Sequence, residues 1–127
     1  MTRRNGSVAL MIAALVVSGC HKDEAKQSTE KAERALDQFL NAWTMKEPPD
    51  KFASGDKSIR GTDPDWQGGA RLLSFLTADS KPVDGSPSRV RCRVALSLQE
   101  KSGKKVEKQV DYDVELGEPV VISRTKP

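Results

Sequence analysis

The stretch Arg89-Val90-Arg91-Cys92-Arg93-Val94-Ala95-Leu96-Ser97-Leu98-Gln99 alternates with period two. Successive side chains of an extended strand point to opposite faces. Val90, Cys92, Val94, Leu96 and Leu98 therefore share one face. Arg89, Arg91, Arg93, Ser97 and Gln99 share the other, with Ala95 the one small interruption. Lys101 to Lys104 forms a turn around Gly103, and Lys105 to Leu116 returns with the same alternation. Val106, Val110, Tyr112, Val114 and Leu116 face inward there, while Glu107, Gln109, Asp111, Asp113 and Glu115 face out. The hairpin sets three outward arginines opposite three outward acids, so cross-strand charge pairs are expected, each worth about 0.2–1 kcal/mol. The competing use of this charged face is docking of a partner or of a polyanion.

Working outward, Gly117-Glu118 turns the chain into a last strand, Pro119 to Arg124. On the other side Arg71 to Thr77 forms a first strand, bounded by Gly68-Gly69 and by a loop from Pro82 to Pro87. From Thr29 the period changes: Ala32, Ala35, Leu36, Phe39, Leu40 and Trp43 recur at spacings of three and four, the stripe of an amphipathic helix. Pro48 and Pro49 stop it, because proline lacks an amide hydrogen and the residue before it avoids the helical region. A short second helix is expected from Pro49 to Gly55 with Phe52 buried, then loop from Ser54 to Thr62 and a turn at Asp63-Pro64-Asp65. The expected class is α+β: an N-terminal amphipathic helix, plus the short second helix, packed on a four-stranded antiparallel meander.

Composition narrows the function. The chain has 127 residues, 36% of them hydrophobic, which is one modest core and not two domains. A net charge of +3 from 21 basic and 18 acidic side chains is no nucleic-acid footprint. One histidine excludes a histidine-cluster metal site, and two cysteines exclude a disulfide scaffold. No cofactor motif is present.

The N-terminus carries an address. Arg3 and Arg4 precede an unbroken apolar run, Val8 to Val17, followed by the small residues Ser18 and Gly19. As a helix the run spans about 15 Å, half of a hydrocarbon core of about 30 Å, so a secretory signal is favoured over a permanent span. Val17-Ser18-Gly19-Cys20 resembles the lipobox of bacterial lipoproteins. The resemblance implies cleavage before Cys20, a diacylglyceryl group on its thiol, and a membrane partner reached through that lipid. The division expected is a signal peptide over 1–19, lipidated cysteine and polar tether over 20–28, and one domain over 29–127. In that family aspartate after the cysteine favours inner-membrane retention; His21 stands there instead, which favours the outer membrane over the inner where both exist.

The Phe39-Leu40-Asn41-Ala42-Trp43 segment, the Asp63-Pro64-Asp65-Trp66 turn and the terminal Val120-Val121-Ile122-Ser123-Arg124 strand resemble small NTF2-like and cystatin-like lipoproteins, in which a helix lies across a curved antiparallel sheet. That resemblance implies a pocket between helix and sheet, lined here by Phe39, Trp43, Trp66, Phe75 and Tyr112. The plain alternative is that these five rings are core. Catalysis in the related enzymes uses an acid, histidine or tyrosine inside the pocket. Asp111 and Asp113 flank Tyr112 on the opposite face, and no histidine follows His21. Tyr112 is by itself a poor base, with an ordinary pKa near 10. Cys92 has no expected disulfide partner and lies on the apolar face of its strand, where an inert buried thiol is expected.

These readings converge on a non-enzymatic binding or interaction domain on an envelope lipoprotein, with a protein partner or a second copy meeting it through the sheet. A binder or enzyme for a small apolar ligand is the rival, and an accessory subunit of an envelope complex is the third reading.

Overall fold

The computed structural model describes residues 25–53, 58–84 and 86–125. Helix α1 covers residues 25–44, so it takes in four residues expected in the tether. It is followed by β1 (Ile59–Thr62), a single-turn helix α2 (Pro64–Gln67), β2 (Arg71–Val83), β3 (Ser86–Gln99), β4 (Lys105–Glu115) and β5 (Val120–Arg124). The five strands form one sheet in the order β1-β5-β4-β3-β2. Every neighbouring pair is antiparallel except β1 with β5. The architecture is α+β, a helix packed on a mostly antiparallel sheet.

The helix stripe is buried in full: Ala32, Ala35, Leu36, Phe39, Leu40 and Trp43 are each under one-tenth exposed. Opposite them lie Leu72, Val90, Cys92, Val94, Leu96, Leu98, Val110, Tyr112, Val114 and Ile122, the inner face of the sheet. Each apolar set is insufficient alone, and stacking the two removes both from water. Helix α1 ends in a Schellman arrangement, with Glu47 N–H donating to the Ala42 carbonyl and Lys46 N–H to that of Trp43. Lys46 takes the left-handed conformation (φ 64°) usual for glycine at that place. Gly103, at φ 93°, closes the β3–β4 turn.

Several elements differ from expectation. No helix forms over the described part of 49–55; Lys51 N–H bonds the Pro48 carbonyl and Ala53 N–H that of Asp50, two successive tight turns. Gly61 N–H donates to the Phe52 carbonyl at 2.7 Å, which takes the acceptor a continuing helix would use, although Phe52 is buried as expected. The sheet also has a fifth strand where loop was expected. Its residues Ile59 to Thr62 pair with Val120 to Ser123, some sixty positions away, so nothing local marks it. Gly61 permits the close approach, since a Cβ there would lie 2.6 Å from the Ile122 carbonyl oxygen. Strand β2 also runs six residues past its expected end, carried round three breaks in its register with β3, between Leu72 and Ser74, Thr77 and Asp79, and Pro82 and Val83. Such bulges bend and twist a strand.

Candidate functional site

Four of the five rings expected to line a pocket are packed on one another. Phe39 meets Trp66 edge to face at 5.4 Å between centroids and Tyr112 at 6.4 Å. Trp43 and Trp66 stack at 5.6 Å, 11° from parallel. Each indole N–H is engaged by backbone, Trp43 with the Ala70 carbonyl at 2.9 Å and Trp66 with that of Glu47 at 3.1 Å. Phe52 joins the cluster at 5.5 Å from Phe39. Phe75 stands apart, half-buried beside Glu33 and Asp37 at the sheet edge. Cys20 lies outside the described residues.

Beside the rings sits a group of polar side chains that, Tyr112 apart, was not among the expected site residues. Asp63 is fully buried and caps α2: its Oδ1 accepts from the Asp65 and Trp66 amides at 2.8 and 3.2 Å. Pro64 takes the first helical position, where a missing N–H costs nothing. The other carboxylate oxygen, Oδ2, accepts the Tyr112 hydroxyl proton at 2.5 Å. Arg124 donates to Asp63 at 3.2 Å and to Asp65 at 2.6 Å, and Lys108 donates to Asp65 at 3.1 Å. Two acids from one turn thus meet two cations and a phenol from β4 and β5, where Tyr112 and Arg124 are direct cross-strand neighbours.

The electrostatics follow from this packing. Burial, with the Asp63 charge and hydrogen bond added, pushes the Tyr112 phenol far above its ordinary value. Burial pushes the Asp65 carboxyl up, but hydrogen bonds and charge from Arg124 and Lys108 outweigh it and hold the group below the usual carboxylate range. Arg124 is held above its ordinary value, since its bond to Asp65 and the charges of Asp63 and Asp65 outweigh desolvation. A phenol locked as a donor to a carboxylate is no proton acceptor. The arrangement ties α2 to β4 and β5, and each of its polar groups has a partner.

The signals for this group were present in the sequence. Lys108 shares the inward parity of Val106 and Val110, and Arg124 shares that of Ile122. Inward cations require acids, and Asp63-Pro64-Asp65 offers an N-cap, a first-turn proline and an acidic first turn.

The outer face carries the expected ladder. Arg91 grips Asp113 with two bonds, at 2.8 and 3.2 Å; Arg89 meets Glu115 at 2.8 Å and Arg93 meets Asp111 at 3.2 Å. Cys92 is buried and unbridged, and burial pushes its thiol up. Among the described residues no three acidic, histidine or cysteine groups are placed to hold a metal ion, and no helix is long and apolar enough to cross a membrane. No protein-family model, curated protein or solved structure matches this chain.

Proposed function

We propose that the chain is a lipid-anchored bacterial envelope protein whose single domain, of the NTF2-like or cystatin-like kind, is a non-enzymatic binding and interaction module. The anchor reading is carried by Val17-Ser18-Gly19-Cys20 following a basic start and an apolar run. The finer fold reading is supported by one helix lying across a sheet whose β2 is bent by bulges. The module reading is carried by one observation: the Tyr112 hydroxyl, the polar group a helix–sheet pocket would present to a ligand, is already bound to Asp63. Binding then falls to the surface of the domain. A role as accessory subunit of an envelope complex is favoured by the exposed Leu73 and Leu76 on the edge strand β2.

Fractionation of cells carrying the full chain tests the anchor. The protein is expected in the membrane fraction with acyl chains on its N-terminal peptide, and Cys20→Ala is expected to release it. Undisturbed membrane attachment of that variant overturns the anchor. For the module, the chain's two tryptophans both lie in the ring cluster. A saturable change in their fluorescence on titration with an apolar ligand would return function to the helix–sheet interior.

A further inference from the structure

We propose that the free edge of β2, with the acidic flank of α1 beside it, is a docking groove for an extended basic segment of a partner protein. This deepens the interaction-module reading and rests on it. Strand β2 ends the sheet and pairs only with β3 among the described residues. Backbone donors and acceptors along an unpaired edge are a template for one more strand. Three register breaks leave two regular stretches on that edge, Ser74 to Thr77 and Asp79 to Pro82. Pro82 lacks an amide donor, so the first, paired with Ser97 to Val94, is the one open to a further strand. Bulges guard an edge against long pairings, so the window admits a short segment and not the whole thirteen-residue β2 of a second copy.

The side chains over that window have unmet needs. A cleft of about 340 Å³ is lined by Glu33, Asp37, Phe75, Leu76 and Thr77. Glu33 and Asp37 are one helical turn apart, a like-charge spacing that costs helix stability. No lysine or arginine among the described residues forms an ion pair with either, and Lys81 on the same edge is turned to Asp79 at 3.6 Å. Among the described residues Glu33 accepts the Ser80 hydroxyl, at 2.8 Å. Burial and the Glu33 charge hold the Asp37 carboxyl above its ordinary range, as expected of an acid lacking a counter-cation. Thr77 Oγ1 is shielded from solvent and has no hydrogen-bond partner. Leu76, on the outward face, is 70% exposed.

An added strand about 4.8 Å beyond β2 answers these together. Its inward side chains would stand level with Phe75 and Thr77, next to Glu33 and Asp37. An arginine there can bridge carboxylates, reach the threonine hydroxyl and lie against the phenyl ring. Its outward side chains would cover Leu76. The recognised pattern is arginine inward alternating with an apolar residue outward.

The test uses the full-length protein in mild detergent and a fluorescent heptapeptide of alternating arginine and valine, followed by anisotropy. Saturable binding is expected, weakened at least tenfold by Glu33→Gln with Asp37→Asn, a pair that keeps an acceptor for Ser80. Binding is also expected to vanish when glutamate replaces arginine in the peptide, or when alternate peptide amides are methylated. Equal affinity for the double variant, for the glutamate peptide or for the methylated peptide overturns the groove, as does absence of saturable binding. A dimer by sedimentation that Leu76→Asp dissociates overturns it in favour of a second copy. Thermal melting of the double variant within a few degrees of the parent shows that lost binding is not lost fold. Cys20→Ala fractionation reads the anchor separately, so failure of the groove and failure of the anchored-module reading are told apart.

Discussion

The domain contains two sets of ion pairs built from the same side chains and put to opposite use. On the outer face of β3 and β4, Arg89, Arg91 and Arg93, each about half exposed, meet Glu115 and the partly shielded Asp113 and Asp111. Under α2, Arg124 and Lys108 meet Asp63 and Asp65, with Asp63 fully excluded from water. A pair in water gains little, because solvent already screens both charges. A buried pair has lost its hydration, so removing one member leaves the other stranded. The ladder decorates a sheet that would form without it. The buried group fixes how the α2 turn seats on the sheet.

The largest effect that would break this contrast is Asp63→Ala. It removes the α2 cap, the acceptor for Tyr112 and one of two acceptors for Arg124. A loss of about 3–5 kcal/mol is expected, the cost of breaking a buried pair, read as the urea midpoint by circular dichroism. A loss below about 1 kcal/mol would place Asp63 with the surface pairs.

Next in size is Tyr112→Phe, which keeps the ring and its contact with Phe39 but leaves Asp63 without its phenolic donor. About 1–3 kcal/mol is expected for that unmet buried acceptor. Tyr112 is the chain's one tyrosine, so phenolate absorbance reports it alone. Its folded pKa is raised. The neutral phenol therefore contributes stability that is whole below the unfolded value, near 10, and is lost as pH rises above it. Phenolate absorbance is expected to appear together with the loss of circular dichroism, and ionisation in the intact fold would contradict the packing described.

Acid sharpens the same contrast from the other side. Asp65 is held below the ordinary carboxylate range. Its contribution is present above the unfolded value of about 3.9 and is lost as pH falls through the lower folded one. Asp65→Asn is expected to flatten the fall in the urea midpoint below about pH 4 while changing little of its slope near neutrality. An unchanged acid limb would show that Asp65 is not selectively ionised by Arg124 and Lys108.

What could be read beforehand divides along the same line. The ladder was legible because a period of two and one hairpin turn suffice to place Arg91 across from Asp113, as the register has it. The helix stripe was legible for the same local reason. Strand β1 and the buried group were not read, because both join segments about fifty or more positions apart: Ile59 with Val120, and Asp63 with Tyr112. The pattern nonetheless held a clue in Lys108 and Arg124, whose inward parity set two cations against a hydrophobic core. A polar residue out of phase with its strand is therefore as informative as the apolar residues in phase, since it says that a partner of opposite charge must arrive from elsewhere.

The smallest predicted effect is the one that tests the exposed half of the contrast. Arg91 and Asp113 have the best geometry of the ladder, two parallel bonds from guanidinium to carboxylate. A cycle of Arg91→Gln, Asp113→Asn and the double variant isolates their coupling from the effect of each side chain alone. The coupling is expected at about 0.2–1 kcal/mol in low salt. It should fall toward zero in 1 M salt, where the screening length is about 3 Å. The equivalent cycle on Asp63 and Tyr112 is expected to keep its coupling at the same salt, because ions cannot enter where water cannot. Equal salt sensitivity of the two cycles would mean that solvent reaches both, and the distinction between a decorated face and a fixed interior would fail.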